Sequence, residues 1–296
     1  MTRPEGGIPD PEFPINEDLV LRLLQTQHPC LAHLPISFLK NGGDNCSYRL
    51  GDNYIVRLPR RVVADQLIQN ELQYLPDIAQ RLPVPTSAAC YRGEPCDFYP
   101  WHWVITRWLP GQTANLSSPQ PSSAKQWANI LKVLHLPAPK DGPKNPFRGV
   151  PLTQRAESCE ERIHRLRDKN AIDFEKVNTI WQTGLDADPT FETRWLHGDM
   201  HPLNVLCSDG NIVGLIDWGD ICTGDIATDL ASFWMLFKDD IAHHSIQHDY
   251  GAGPAEILRA KASAVFFAMV LLDSGLGINK EQVGVAQQIL NRLGAI

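Results

Sequence analysis

One short stretch of the sequence, residues 194–219, carries the residue types that phosphate chemistry requires. Asp199 follows an apolar run that is typical of a strand end, where its carboxylate could meet the proton of an incoming hydroxyl. Asn204 lies five residues further on, and Asp217 follows a second apolar run. A neutral and an anionic oxygen suit Mg²⁺, which also keeps waters and substrate phosphates in its shell. Phosphoryl transfer needs mainly positioning and charge neutralisation, so this set predicts a phosphoryl-transfer site.

Other residues of this region have simpler interpretations. Asp beside Gly is common in turns, so each carboxylate alone could be a turn residue, and only the ordered set favours chemistry. His197 and His201 lie on a loop and not on one helix face, so we expect His197 to brace the loop rather than bind metal. Asp225 and Asp229 fit the start of a helix and are interpreted as structural.

The first part of the chain is predicted to be a mainly β lobe over residues 16–106, preceded by a loose, Pro-rich arm over residues 1–15. A helix from Val63 to Ala79 interrupts the strands and carries Glu71 near its centre. Alternating apolar residues and Asn, Gly and Asp turns mark the predicted strands, which are Ile36–Lys40, Cys46–Leu50, Tyr54–Leu58 and Trp103–Leu109.

The second part is predicted to be a mainly helical lobe over residues 112–296. A Pro-Gly pair at positions 110–111 ends the last strand, and residues 107–111 are interpreted as a hinge. A short β segment over roughly 194–218 is embedded in this lobe. The predicted helices include Gln154–Asp168, Phe174–Leu185, Ile226–Phe237 and a buried one around Ala262–Leu272.

The motifs resemble those of the aminoglycoside phosphotransferase family, which is related to the eukaryotic-type protein kinases. His197-Gly198-Asp199 with Asn204 resembles the H-G-D-x-x-x-x-N loop, and Ile216-Asp217-Trp218-Gly219 resembles the segment equivalent to kinase D-F-G. The resemblance covers about residues 16–275 in the expected order, including Asn145-Pro146-Phe147-Arg148-Gly149. It implies an α+β fold of the bilobal, protein-kinase-like type, with a small antiparallel β lobe and a larger helical lobe.

The resemblance also implies roles at matching positions. Asp199 would be the catalytic base, and Asn204 and Asp217 the Mg²⁺ ligands. Arg107 to Leu109 would be the part of the hinge that offers backbone groups to the nucleobase of ATP or GTP, with Thr106 behind the base. The loop expected to cover the nucleotide phosphates contains Gly42, Gly43, Asp44 and Asn45.

One position departs from the kinase pattern. Kinases use a third-strand Lys, paired with a helix carboxylate, to hold the α- and β-phosphates, and the matching residue here is Arg57. Arg keeps the charge and adds a planar, bidentate fork. Glu71 is the expected helix partner.

The overall charge limits the partners. A net charge of −7 and a pI near 5.8 disfavour nucleic acid, and they are compatible with a cationic small substrate. The longest apolar stretch is far short of a membrane span, and the polar N-terminus is unlike a secretory signal. The seven cysteines are scattered without a C-x-x-C pair, as in a reduced cytoplasmic protein. We expect a cytoplasmic monomer or weak homodimer that binds neither nucleic acid nor membrane.

The acceptor is left open between several classes. Residues 199–240 contain eight acidic residues and one Lys, which suggests either an acidic cleft wall for an amine-bearing antibiotic or a solvated acidic face. The first hypothesis is an antibiotic or amino-sugar O-phosphotransferase with a role in antibiotic resistance. The second is a metabolic kinase for choline, homoserine, a sugar or a similar alcohol. The third is a nucleotide-binding pseudokinase, against which the complete Asp199, Asn204 and Asp217 set argues.

Overall fold

The structure of the chain is a computed structural model that describes residues 10–296, and it divides into two compact units. Within the described range, the first unit holds residues 10–80 and 85–109, and the second holds residues 81–84 and 110–296. The border near the predicted hinge falls between Leu109 and Pro110. Residues 1–9 of the predicted arm lie outside the described residues.

The first unit is built on one antiparallel sheet. Its elements are helix α1 (Glu17–Gln27), strands β1 (Ile36–Asn41), β2 (Asn45–Leu50) and β3 (Tyr54–Pro59), helix α2 (Val62–Ala79), and strands β4 (Ala89–Gly93) and β5 (Trp103–Arg107). The spatial order is β1-β2-β3-β5-β4, and every neighbouring pair is antiparallel. Strand β3, which carries Arg57, is therefore an inner strand with its backbone bonded on both sides.

An aromatic core joins the start of the described chain to this sheet. The ring of Phe13 packs edge-on against Tyr99 and Trp101, at centroid distances of 5.6 and 6.1 Å. Tyr99 is fully buried, and its hydroxyl donates to the Pro59 carbonyl. Within the predicted loose arm, Phe13 and Ile15 are therefore partly buried against this core, while their neighbours Asp10, Pro11, Glu12 and Pro14 are exposed.

Strand β5 ends two residues earlier than predicted. The β3–β5 ladder closes with Tyr54 opposite Arg107, and Tyr54 is the first residue of β3. No residue of β3 is left to pair with a longer β5. The backbone N–H of Trp108 instead donates to the carbonyl of Asn53 in the preceding turn.

The second unit is mainly helical. Its strands are β6 (Gln112–Thr113), β7 (Arg194–Leu196), β8 (Val205–Ser208), β9 (Asn211–Leu215) and β10 (Cys222–Gly224). Its helices are α3 (Ala124–Leu134), α4 (Ala156–Asp168), α5 (Phe174–Leu185), α6 (Ala227–Leu230), α7 (Ser232–Leu236), α8 (Asp239–His244), α9 (Pro254–Gly275) and α10 (Lys280–Arg292). Helix α9 is the buried C-terminal helix expected from the sequence, and it packs against α4, α5, α6 and α10. Across residues 10–296, no helix combines the length and apolar character needed to cross a bilayer.

Two predicted helices have different bounds. The segment predicted as Gln154–Asp168 begins with a 3₁₀ turn over Leu152–Arg155, and its α-helix starts at Ala156. The helix predicted over Ile226–Phe237 is divided into α6 and α7. The Ser232 hydroxyl donates to the backbone carbonyl of Asp229 at 2.5 Å, a local bond that competes with regular helical bonding and interrupts the helix.

The observed class agrees with the sequence. A mainly antiparallel β unit is followed by a mainly helical unit, which confirms the predicted α+β class. The two small β assemblies of the second unit, β6-β8-β9 and β10-β7, lie inside the helical part of the chain. They carry the loops that hold Asp199, Asn204 and Asp217. All seven cysteines are free.

Candidate functional site

A buried carboxylate holds the turn that follows strand β7. Asp229 is fully buried and accepts hydrogen bonds from the backbone N–H groups of His197 and Gly198, at 2.8 and 2.9 Å. The His197 ring is also buried, accepts from the N–H of Asp199, and lies 3.0 Å from the Ile216 carbonyl. His197 therefore braces the turn, as its position on a loop indicated. Asp229 is structural, as expected, but its carboxylate supports this turn, whereas Asp225 accepts from the N–H of Ala227 at the helix start.

Gly198 is required in this turn, and we expect Gly198→Ala to disturb it. Its φ is 84°, and a Cβ here would lie 2.5 Å from the backbone oxygen of Asp220. Left-handed strain alone costs about 1–2 kcal/mol, and the clash adds to it. The variant should unfold at a lower temperature and lose phosphoryl-transfer activity. Gly284→Ala, in an open position on helix α10, is the matched control. Equal melting temperatures and activities for the two variants would contradict the prediction.

The Asp199 carboxylate is surrounded by donors. Its Oδ1 accepts from Arg148 Nη2 at 2.6 Å, and its Oδ2 lies 3.2 Å from both His201 Nε2 and Asn204 Nδ2. Burial opposes ionisation of Asp199, but the charges of Arg148 and His201 outweigh it and hold its pKa well below the usual range. The group is therefore an ionised carboxylate at neutral pH. Burial disfavours the charge of His201, but Asp199 outweighs this and raises the pKa of His201.

Arg148 is held in place by a second carboxylate and by stacking. Its Nε lies 3.5 Å from Asp220 Oδ2, and its guanidinium carbon lies 4.7 Å from the centre of the Phe267 ring. Asn145 donates to Asp220 and accepts from the backbone N–H of Arg148. Burial raises the pKa of Asp220, whereas for Arg148 the two carboxylates outweigh burial and raise the pKa. The cation is therefore fixed beside Asp199 by contacts on several sides.

Asp217 occupies an unusual backbone conformation. It follows strand β9 with φ 63° and ψ 68°, in the left-handed region that few residues other than Gly, Asn and Asp adopt. Asn204 is attached to the same segment, because its carbonyl accepts from the N–H of Ile216 at 3.0 Å. This backbone hydrogen bond connects the two segments that carry the predicted Mg²⁺ ligands.

The donor set of Asn204 and Asp217 fits Mg²⁺. Asn204 uses its amide nitrogen for bonds to the backbone and side chain of Asp199, so its amide oxygen is the atom suited to a cation. Among the described residues, no group of three or more His, Cys, Asp or Glu side chains is arranged to hold a metal. This excludes a closed cage of those side chains in that part of the chain. It is compatible with Mg²⁺, which commonly uses few protein ligands together with substrate phosphates and water.

In the first unit, two arginines form hydrogen bonds with the predicted phosphate loop. The loop between β1 and β2 contains Gly42, Gly43 and Asp44, and Asn45 begins β2. Arg60 donates its Nη1 to the Gly42 carbonyl at 2.8 Å, and Arg61 donates to Asp44 Oδ1. A Cβ at position 43 would meet no atom within 4 Å, so the space beside the loop is open at this residue.

Arg57 contacts Glu71, the helix carboxylate that was predicted to be its partner. Its Nη1 lies 2.9 and 3.0 Å from the two carboxylate oxygens of Glu71, and both side chains are almost fully buried. Arg57 lies on β3 and Glu71 on α2, so the pair also joins the helix to the sheet. A buried ion pair of this kind requires both partners, because the remaining charge would be left without compensation.

The predicted base-binding segment lies at the end of β5. Thr106 is buried within the sheet, opposite Ile55 of β3 and Ala89 of β4. Arg107 is exposed, and Leu109 is half-buried beyond the end of the strand. Trp108 is 41% exposed and stacks against the guanidinium of Arg49 at 3.8 Å.

Three residues beside Asp199 had no predicted function. Arg148 was part of a recognised motif but had no role, Asp220 was only one of the counted acidic residues, and His201 was considered only as a possible metal ligand. The sequence signal for Arg148 is the polar Asn145 three residues before it, in a segment without a helix or strand pattern. Its pairing with Asp199, 51 residues away, is a tertiary contact that local patterns do not report.

Most of the acidic residues counted between positions 199 and 240 are engaged inside the unit. Asp225 pairs with Arg259 at 2.8 Å, Asp229 binds the turn, and Asp239 pairs with Lys261. Asp220 contacts Arg148 and Asn145. The acidic composition of this segment is therefore largely internal pairing rather than a free acidic wall.

The comparisons with known proteins identify the family. Residues 35–261, about three quarters of the chain, match the model of the phosphotransferase enzyme family, APH. The chain belongs to this family. The enzyme is thus a phosphotransferase, as the sequence predicted. Comparison with curated proteins gives no match.

Solved structures of similar fold extend over nearly the whole phosphotransferase. The GDP and kanamycin complex of APH(2")-IIia has a TM-score of 0.70 and 18% identity, covering 92% of this chain and 98% of that one. The streptomycin–ATP complex of APH(2")-IIa has a TM-score of 0.58 and 17% identity, covering 94% and 97%. Macrolide 2'-phosphotransferase type I has a TM-score of 0.60 and 20% identity, covering 93% and 98%. At these identities the likeness shows the fold, which is the protein-kinase-like fold expected from the motifs.

Proposed function

We propose that this phosphotransferase moves the γ-phosphate of ATP or GTP to a hydroxyl of a small molecule. The observation that carries the proposal is the Asp199 carboxylate, which is ionised, bonded to the Asn204 amide, and held in a turn by Asp229. A carboxylate in this state can accept the hydrogen of an alcohol and direct its oxygen towards a phosphorus atom. In this proposal Asp199 is the catalytic residue.

Asn204 and Asp217 are the proposed ligands of Mg²⁺. When bound, the cation neutralises charge on the phosphates of the nucleotide. The amide nitrogen of Asn204 donates to the backbone carbonyl and the carboxylate of Asp199, which leaves its amide oxygen for the cation. The proposed acid–base residue and the proposed metal ligand therefore hold each other in place. Asp217 contributes the anionic ligand from the left-handed backbone that follows strand β9.

Nucleotide binding is assigned to the first unit. We propose that the loop of Gly42, Gly43, Asp44 and Asn45 covers the phosphates, and that Arg57, oriented by Glu71, binds them. Thr106, Arg107 and Leu109 would contact the nucleobase. The support is the Arg57 guanidinium paired with Glu71 and the loop bonded to Arg60, together with two structures of similar fold that are complexes with GDP and with ATP.

The first candidate for the acceptor is an antibiotic of the aminoglycoside or macrolide kind. Its support comes from three structures of similar fold. Two are complexes with kanamycin and with streptomycin, and the third is a macrolide 2'-phosphotransferase. A protein with that activity would confer antibiotic resistance, and we would place it in the cytoplasm, where nucleotide triphosphates are available.

A metabolic alcohol is the second candidate, and one observation favours it. A polyamine substrate requires carboxylates that face the acceptor, whereas Asp220, Asp225, Asp229 and Asp239 are bound to groups of the protein itself. A smaller acceptor without several amines would not need such carboxylates.

The test combines nucleotide binding with turnover. Mg–ATP or Mg–GTP should raise the melting temperature, and chelation of Mg²⁺ should remove most of the shift. Asp217→Asn should lose the Mg²⁺-dependent part while it keeps the fold, because Asn tolerates the left-handed backbone at this position. Turnover is then measured against a panel of aminoglycosides, macrolides and small alcohols, with product identified by mass spectrometry.

The outcomes separate the alternatives. Phosphorylated product from one acceptor class supports the transferase and identifies its substrate. Nucleotide binding without product from any acceptor would favour the pseudokinase. Full Mg²⁺-dependent stabilisation in Asp217→Asn would contradict the proposed ligand set.

A further inference from the structure

A small cavity beside the catalytic turn has an unusual lining. It is bordered by two arginines, Arg148 and Arg155, and by three aromatic rings, Phe147, Phe266 and Phe267. The remaining lining residues are aliphatic or carry a hydroxyl, and none of them is acidic. We call this the arginine cavity. Its charge is opposite to that expected for a site that binds amines.

The arginine cavity is continuous with the catalytic residue through Arg148. The guanidinium of Arg148 lines the cavity, donates to Asp199 at 2.6 Å and stacks over Phe267. The cavity has room for one small group and not for a whole molecule. A group seated there would lie one side chain away from the carboxylate that is proposed to orient the acceptor hydroxyl.

Of the two arginines that line this cavity, Arg148 pairs with a carboxylate, and Arg155 does not within the described residues. The guanidinium carbon of Arg155 lies 5.2 Å from the centre of the Phe147 ring and 4.7 Å from the centre of the Phe266 ring. Its Nε is buried without a hydrogen-bond partner, and within residues 10–296 no carboxylate pairs with it. Burial, and then the neighbouring cations Arg148 and Arg162, lower the pKa of Arg155. The two neighbours do have carboxylates, which are Asp199 for Arg148 and Asp273 for Arg162.

A half-buried guanidinium without a partner is unfavourable in the free protein. Desolvation removes its water contacts, and two neighbouring cations add repulsion. An oxyanion would remove this cost, because guanidinium binds carboxylate and phosphate through short, charge-assisted and often bidentate bonds. An ammonium group would instead add a third positive charge.

We propose that the arginine cavity binds an anionic group, carboxylate or phosphate, of the acceptor, with Arg155 as its principal ligand. The proposal rests on the proposed transferase function and narrows its substrate to alcohols that carry an oxyanion. Phe147, 61% exposed at the edge of the cavity, covers one face of Arg155 and would pack on the carbon chain between the anion and the hydroxyl. Arg148 then separates the anion from the reacting hydroxyl at Asp199.

The experiment compares small alcohols that differ in one terminal group and in its charge. One series is 4-hydroxybutanoate, its neutral amide and 4-aminobutan-1-ol, and a second is glycerol 3-phosphate against glycerol. Kanamycin represents a polycationic acceptor. The anionic member should have the lowest KM in its series, and the two series distinguish carboxylate from phosphate.

Arg155→Gln tests the residue itself. It should raise the KM of the anionic acceptor roughly 10- to 100-fold, the size of losing a hydrogen bond to a charged group, with little change in kcat or in the KM of the nucleotide. Arg155→Lys should restore part of the loss. Arg167→Gln, an exposed arginine paired with Asp168, is the matched control and should leave every KM unchanged.

A binding measurement separates failure of this proposal from failure of the transferase function. The anionic alcohol should raise the melting temperature of the wild-type protein, and this shift should be smaller in Arg155→Gln. If the anion binds in a manner that depends on Arg155 but no product forms, the anion-binding proposal is supported and the proposed transferase function is contradicted. Preference for the amine or for kanamycin, or equal KM and binding in wild type and Arg155→Gln, would overturn the proposal.

Discussion

Asp199→Asn is expected to lower kcat by about 10²–10⁴-fold, the usual loss when a positioned acid–base group is removed. The amide keeps the shape of the side chain but cannot accept a hydroxyl proton, and it presents an N–H where the carboxylate oxygen met His201 or Asn204. Nucleotide affinity should change little, because Asn204, Asp217 and the whole first unit are unaltered. Steady-state kinetics with the best acceptor of the panel, together with the nucleotide-induced melting shift, measure both quantities.

Asp209→Asn provides the control for this measurement. Asp209 also lies in a loop of the second unit, but it is exposed in the hairpin between β8 and β9, and its φ of 51° is one that Asn accepts. Its kinetics should match the wild type. Wild-type turnover in Asp199→Asn would remove Asp199 from the mechanism, and an equal loss in both variants would point to a general effect on folding.

The largest stability effect is expected at the buried pair of Asp225 and Arg259. Their side chains are each 3% exposed, and the Nε–Oδ2 distance is 2.8 Å. Asp225 also accepts from the N–H of Ala227, and Arg259 also donates to the Asp188 carbonyl. Asp225→Ala leaves the buried guanidinium without its carboxylate, which typically costs about 3–5 kcal/mol of unfolding free energy. Urea unfolding monitored by tryptophan fluorescence gives this value.

An exposed pair supplies the comparison. Arg167 and Asp168 lie on the surface at 3.0 Å, and such pairs contribute about 0–1 kcal/mol. Asp168→Ala should therefore shift the urea midpoint only slightly. If Asp225→Ala destabilises the protein no more than Asp168→Ala, the buried pair has no special role. Asp225→Asn should fall between them, because it can still accept from Ala227.

The fold was largely predictable because its elements follow local patterns. Alternation and Asn-Gly or Asp-Asn turns marked β1, β2 and β3, and the helix around Glu71 was predicted within one residue of its observed start. What local patterns did not contain was competition from distant groups. The end of β5 depends on where β3 begins, the division of α6 from α7 depends on Ser232, and the fixed position of Phe13 depends on aromatic residues far along the chain.

The contacts of the candidate site could be predicted to the extent that its residues are close in sequence. Asp199, Asn204 and Asp217 fall within 19 positions, and the structure connects Asn204 with Asp199 directly. The residues that sequence reasoning missed are chiefly Arg148, Asp220 and Arg155, whose roles depend on tertiary contacts. The same limit applies to charge, because counting carboxylates between positions 199 and 240 could not tell which of them were already paired with arginine, lysine or backbone N–H groups.

The left-handed backbone at Asp217 has a consequence for how the protein can vary. The conformation with φ 63° accepts Gly, Asn and Asp and disfavours Glu and other longer side chains. If Asp217 is the anionic magnesium ligand, the chemistry accepts only a carboxylate. The backbone and the ligand role together leave a single permitted residue, so a lineage that keeps the activity should keep Asp at this position. The neighbouring Trp218 is constrained differently, because its buried ring packs against His197 at 4.5 Å and its indole N–H donates to the Leu215 carbonyl.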